Sequence, residues 1–286
     1  MSSVVAGRPA ARASNLHRNF WAGSLLAFAA ASAVFLIFPG IDLWVSRVLY
    51  WDEIWSLAGR APWLNPLRAS FIGLFWISVG LALAGLLTTR LRRPAWLGLD
   101  YRRWLFLAIC LGVGPGLVAN TLLKDNWGRA RPKQLVEFNG GKRFTPPLVL
   151  SDQCARNCSF VSGEASAVFV PFYAAALMVP QGSVALLAIG TVGGLAVGLI
   201  RILQGAHFLS DIVFAGIFMA LIVTAVHHIM FGWPGSRVLA AIRARRPRPH
   251  EQSAPGVPMS GPPDNRLAEP RQKKDPAVGT TGPLIP

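Results

Sequence analysis

Six stretches, at 20–38, 70–89, 104–123, 164–179, 183–202 and 211–231, are almost free of charged side chains. A helix needs about 20 such residues to cross the hydrocarbon core of a bilayer, where every backbone polar group must find its partner inside the segment. The chain is therefore expected to be an all-α, polytopic membrane protein with about six transmembrane helices in a bundle and no plausible sheet. With 52% hydrophobic and only 14% charged residues it does not have the make-up of an ordinary soluble domain.

A net charge of +15 would suit a nucleic-acid binder, but the basic residues are scattered between apolar spans and form no single soluble patch. No nucleic-acid partner is expected. Topology explains their placement better. Arg8, Arg12 and Arg18 precede the first span, Arg90, Arg92, Arg93, Arg102 and Arg103 fill the second connection, and Arg237, Arg243, Arg245, Arg246 and Arg248 follow the last. With an even number of spans these segments share one face, which the positive-inside rule makes cytoplasmic. Both termini are then cytoplasmic, and the first, third and fifth connections face outward. The triplet Ala31-Ser32-Ala33 resembles a signal cleavage site, yet the apolar run continues to Phe38, so an uncleaved first helix is expected.

This divides the chain into a flexible cytoplasmic arm (1–19), a transmembrane domain (20–231) and a basic, Pro-rich, disordered cytoplasmic tail (232–286). Between the first two spans, 41–68 carries Trp44, Trp51, Trp55 and Trp63 among charged residues, as expected of a plug at the outer interface. The connection 90–103 reads as a short basic loop.

The outward connection 124–160 holds Lys124, Arg129, Arg131, Lys133, Lys142, Arg143 and Arg156, against the positive-inside trend. An anionic ligand would account for it. Lys124 and Arg131 are two helical turns apart and are expected to project from one face. Ser162 and Gly163 open the next apolar helix, whose unpaired N–H groups and positive dipole end favour an anion. Arg201 adds a guanidinium suited to phosphate oxygens.

His207 and Asp211 are four apart, so on a helix the carboxylate could hold one ring nitrogen and leave the other to attack or to bind a metal. Together these residues would surround a phosphoryl group with His207 as nucleophile. No Asp/His cluster has metal-ligand spacing, so metal-independent chemistry without a cofactor is expected. Cys154 and Cys158 flank Ala-Arg-Asn in the same connection, and an oxidising compartment would join them in a disulfide that tightens the approach to Ser162. Cys110 lies within a span as packing. His227 and His228, at the far end of the last span, read as interfacial polar residues.

KDNWGRARP (124–132) fits the K-x6-R-P first motif of the type 2 phosphatidic acid phosphatases, and RILQGAHFLSD (201–211) fits their third, R-x5-H-x3-D. VSGE (161–164) stands in the place of the second, P-S-G-H. The resemblance covers roughly 20–231. It implies that His207 attacks phosphorus to form a phosphohistidine and that Asp211 orients it, with Lys124, Arg131, Ser162, Gly163 and Arg201 holding the phosphate. Glu164 occupies the position of the histidine that protonates the leaving oxygen. Either Glu164 takes that role, with burial raising its pKa against the pull of nearby cations, or the leaving group needs little protonation.

The Trp-rich segment and the glutamate-bearing motif resemble the bacterial lipid A phosphatases within that family. The implied activity is metal-independent hydrolysis of lipid A phosphate at the periplasmic face of the inner membrane. Undecaprenyl pyrophosphate, phosphatidylglycerol phosphate, phosphatidate and phosphate transfer to another lipid stay open. A reading from another class is a non-catalytic anion binder or transporter, in which the same cations bind without His207 reacting. The resemblance also extends to the vanadium haloperoxidases, which are soluble, as this chain is not.

Overall fold

The computed structural model describes residues 7–49, 64–91 and 94–232. Their order is α1 (Gly7–Ile37), α2 (Gly40–Leu49), α3 (Leu64–Leu91), a hairpin of β1 (Ala95–Trp96) and β2 (Leu99–Asp100), then α4 (Tyr101–Asn126), α5 (Gly163–Met178), α6 (Ser183–Leu203) and α7 (Leu209–Gly232). Of the six expected spans, five are long and apolar enough to cross a membrane among the described residues: Leu16–Ile37 of α1, and α3, α4, α6 and α7. The sixth, α5, has 16 residues. That is about 24 Å of helix against a hydrocarbon core of about 30 Å. Its length is tolerable because its neighbours are mainly protein: α5 packs against α3, α4, α6 and α7, and most of its side chains are buried. By contrast α1 and α3 expose Leu26, Ile37, Trp76, Ile77 and Leu83, as lipid-facing helices should.

Two sequence expectations change. α1 already begins at Gly7, so most of the expected flexible arm at 1–19 is helix. The connection at 90–103, expected to be a plain loop in a sheet-free chain, contains the antiparallel pair β1–β2 in the register Ala95↔Asp100, Trp96↔Leu99. Leu97 and Gly98 between them both have positive φ (53° and 74°), the two-residue turn whose twist matches a hairpin. Asp100 then caps α4 by accepting the Arg103 amide at 3.0 Å. Of the Trp-rich segment, Trp44 is exposed on α2. Trp51, Trp55 and Trp63 fall outside the described residues, as does the tail from 233 onward.

The middle of α4, Gly112–Leu123, is π-helical around Pro115. Proline has no N–H and crowds the preceding turn, which disturbs the helical ladder here, and polar side chains one turn later add hydrogen bonds to the backbone within the span. Asn120 Nδ2 donates to the Pro115 carbonyl (2.7 Å) and Thr121 Oγ1 to that of Gly116 (3.1 Å). On α6, glycines 190, 194 and 198 form a stripe with period four against Phe172, Phe169 and Ile212, where any Cβ would collide. This close approach is the usual means of packing helices in lipid.

The up-and-down course brings the starts of α3, α5 and α7 and the ends of α4 and α6 to one end of the bundle. At the other end His227 lies ring to ring with His17, centroids 4.6 Å apart, and His17 Nε2 is 3.2 Å from the Thr224 carbonyl.

Candidate active site

At the site end α4 stops at Asn126. Lys124 lies in its last turn, and Gly128, at φ 74°, turns the chain sharply inward. A Cβ at Gly128 would overlap the Ser151 carbonyl, so the turn requires glycine. Lys124 and Arg131 therefore do not share a helical face, as expected from spacing, but reach the site from a helix end and from the loop after it.

The turn buries Arg129, to which sequence reasoning gave no role in the site. Its guanidinium has no solvent exposure and donates through Nε to the Thr145 carbonyl (2.8 Å), through Nη1 to Ser210 Oγ (2.8 Å) and Asp211 Oδ1 (2.6 Å), and through Nη2 to Asp42 Oδ2 (2.8 Å). The Phe208 ring lies 4.2 Å below it. Asp42, on α2, also accepts the Ser210 amide (2.9 Å) and hydroxyl (2.5 Å). Burial raises the pKa of the Asp42 carboxyl, with Arg129 opposing. Its three donors identify the ionised form. One sequence signal was available, an aspartate flanked by apolar residues in Gly-Ile-Asp-Leu-Trp, although nothing local says what it pairs with.

Asp211 continues this network toward His207. Its Oδ2 accepts the Ser159 hydroxyl and the Phe208 amide (2.8 Å). Ser159 is pinned in turn, its own amide donating to the Arg129 carbonyl at 2.8 Å. The expectation that His207 and Asp211 share a helical face is corrected: α7 begins at Leu209, and His207 lies in the turn before it. Its Nδ1 is 2.7 Å from the Ser159 carbonyl and 3.5 Å from Asp211 Oδ2. A carbonyl can only accept, so Nδ1 carries the proton and Nε2 the free lone pair. The carbonyl of Ser159, a residue given no role from sequence, thus sets the tautomer that had been expected of Asp211.

Burial lowers the His207 pKa to about 4, with Asp211 opposing, so the ring is neutral at neutral pH and Nε2 is available. The free histidine value is near 6.5, so between those two pH values the unfolded chain binds the extra proton. This contribution to stability is complete above about pH 6.5 and is lost as pH falls through about 4. Melting of the detergent-solubilised protein is expected to drop by about 5–10 °C across that window. The drop should be smaller in His207→Gln; an equal drop would show that other groups are responsible.

Ser162 is the N-cap of α5, its hydroxyl accepting the Ala165 amide at 3.4 Å, and Gly163 is the first helical residue. A Cβ at Gly163 would collide with Asn120 Oδ1 and come within 3.2 Å of Lys124 Nζ, so the ammonium lies close against the helix N-terminus. Arg131 donates to the Asn157 carbonyl and side chain, both at 2.9 Å from Nη2. Arg201 holds Gln204 Oε1 at 2.5 Å, and its buried Nε has no hydrogen-bond partner among the described residues. Cys154 and Cys158 are disulfide-bonded, and the Cys158 amide donates to the Lys124 carbonyl (2.9 Å), tying this loop to the end of α4. No group of three or more potential metal ligands occurs among the described residues.

Glu164 is not placed like a proton donor. Both its oxygens accept from Arg68 of α3, Nε to Oε2 and Nη2 to Oε1, each at 2.7 Å, and Arg201 Nε is 3.7 Å from Oε2. Arg68 went unnoticed in the sequence. A lone arginine at the start of an apolar span was the available signal. Beside Glu164 a cavity of about 590 Å³ runs between α3 and α4. Ile72, Phe75, Trp76 and Leu111 help to line it, and Lys124, Gly163 and Glu164 are at its polar end.

Residues 103–234 match the model of the PAP2 superfamily. A lipid A 4'-phosphatase of Francisella tularensis subsp. novicida is 39% identical over 204 residues, covering 69% of this chain and 89% of that protein. Proteins of the same name from Rhizobium etli and Rhizobium leguminosarum are each 31% identical, over 201 and 203 residues; both alignments cover 63% of this chain, and they span 75% and 83% of those proteins. No solved structure matches the chain.

Proposed function

Since this chain belongs to the PAP2 superfamily and is a membrane-embedded lipid phosphatase, we propose that it removes the 4'-phosphate of lipid A through a phosphohistidine on His207, without a metal ion, at the periplasmic face of the bacterial inner membrane. The observation that carries this reading is the junction of a cluster of cations with an apolar cavity at Lys124, Gly163 and Glu164. A phosphorylated lipid presents that combination of chemistries at its head group. The choice of lipid A is supported by the relatives named above, and the outward site by the arginine distribution and by a disulfide beside it, which an oxidising compartment maintains. On this reading both termini are cytoplasmic.

In the proposed reaction His207 Nε2 attacks phosphorus, and the bond to the sugar oxygen breaks with its electron pair going to that oxygen, which takes its proton from solvent water. Phosphorylation makes the imidazole cationic, and the buried Asp211 carboxylate supplies the counter-charge. Water then cleaves the phosphorus–nitrogen bond, giving orthophosphate and restoring the neutral ring. Lys124, Arg131, Arg201, Ser162 and the Gly163 amide hold the phosphoryl oxygens, so the work is positioning and charge neutralisation.

The test is phosphate release by the solubilised protein, with chelator present, from lipid A, undecaprenyl pyrophosphate, phosphatidylglycerol phosphate and phosphatidate. Lipid A is expected to turn over fastest, at a rate insensitive to chelator, with mass spectrometry showing loss of the 4'-phosphate. Faster release from another of the four would overturn the substrate assignment, and inactivation by chelator the metal independence.

Gly163→Ala is a sharper probe of the cage. Its methyl must displace Asn120 or the Lys124 ammonium, an overpacking that costs about 1–3 kcal/mol. Orthophosphate inhibition is expected to weaken about tenfold, since 1.4 kcal/mol corresponds to a factor of ten. Unchanged inhibition would place the phosphate elsewhere.

A further inference from the structure

We infer that Arg68 is an additional substrate-binding cation of the phosphate site, and that Glu164 is the positioning residue that clasps it there and not the donor of a proton to the leaving oxygen. The inference rests on the phosphatase reading and concerns the one second-motif position at which this chain carries an acid in place of a histidine.

A general acid must carry a proton, and its oxygen must be free to reach the leaving group. Glu164 meets neither condition while both oxygens accept from the Arg68 guanidinium in a fork and a second guanidinium, that of Arg201, stands 3.7 Å away. Such bidentate pairing fixes geometry as well as charge.

Arg68 has its own reason to need Glu164. It lies near the N-terminus of a membrane helix, where the dipole disfavours a cation, and it is about two-thirds buried. Its place on α3 is equally informative. Ile72 and Trp76 follow it at intervals of four on one helical face, and both line the apolar cavity. Arg68 therefore sits where that cavity meets the cations of the phosphate site, at the junction of lipid and phosphate. The pair engages Nε and Nη2, so Nη1 stays outside the clasp for a phosphate or leaving-group oxygen.

The experiment compares Arg68→Gln, Arg68→Lys, Glu164→Gln and the double variant Arg68→Gln/Glu164→Gln. Readouts are orthophosphate binding by calorimetry and turnover of lipid A and of p-nitrophenyl phosphate, whose leaving group departs without protonation. Arg68→Gln removes one cation and leaves the Glu164 carboxylate opposed by Arg201 alone, 3.7 Å away, beside the anion, so orthophosphate binding should fall about 10- to 100-fold. Adding Glu164→Gln should recover part of that loss, and Arg68→Lys should fall between Gln and wild type. Glu164→Gln alone should change turnover of both substrates by the same factor. Unchanged orthophosphate affinity in Arg68→Gln would overturn the role of Arg68. A Glu164→Gln defect confined to lipid A would restore Glu164 as the acid. Failure of the phosphatase reading looks different: wild type would release no phosphate from either substrate, while the calorimetric comparison would still report on Arg68.

Discussion

His207→Ala is expected to lower phosphate release by about 10⁴-fold or more, the scale seen when a covalent nucleophile is removed. The ring is fully enclosed, its Nδ1–H is spent on the Ser159 carbonyl, and only Nε2 faces the reaction. No neighbour can replace it: Lys124, Arg131 and Arg201 are cations, and the Ser162 hydroxyl is engaged at the N-cap of α5. Phosphate binding should persist, because the cage cations are untouched. Wild type quenched during turnover should yield an acid-labile, alkali-stable phosphoenzyme that His207→Ala lacks. A variant that still turns over at a substantial rate, or a phosphoenzyme that survives the substitution, would exclude the histidine route.

Arg129→Met should destabilise the protein by about 3–5 kcal/mol, the cost of removing one partner from a buried ion pair. Here one guanidinium answers two carboxylates, Asp42 and Asp211, and all three side chains are fully buried. Against a total stability of about 5–15 kcal/mol this is a large fraction, and melting should fall by about 10 °C or more. Asp42, whose pKa burial already raises, should then take up a proton, so Arg129→Met/Asp42→Asn should be closer in stability to Arg129→Met than additivity predicts. Turnover should fall about 100-fold even where the variant folds, because displacement of Asp211 moves Ser159 and, through its carbonyl, the His207 ring. Near-wild-type melting would show that the cluster does not stabilise the fold, and normal turnover in the folded fraction that it does not align the site.

What could be read from sequence and what could not divide along the range of each interaction. Apolar runs specified a helical membrane protein because a bilayer accepts few alternatives. Departures from the charge trend pointed to Lys124 and Arg131, a guanidinium at the end of an apolar span to Arg201, and spacing drew attention to His207 and Asp211. Spacing misled where it assumed helix: α4 ends before Arg131 and α7 begins after His207. The β1–β2 hairpin was missed because two-residue strands carry too little periodicity to register.

Arg129 looked like one more loop cation, although its partners Asp42 and Asp211 are 87 and 82 positions away. Glu164 stood at the position of the family's proton donor, and nothing local tied it to Arg68, 96 residues earlier. The sequence by itself determined the helical bundle and the residue types able to hold and attack a phosphate, because burial of apolar surface and the electrostatics of charge in a membrane act on composition and short-range order. Only the tertiary structure decided which carboxylate meets which guanidinium, and which oxygen fixes the histidine tautomer. Those depend on directed bonds of about 3 Å between segments far apart along the chain, and nothing local records them.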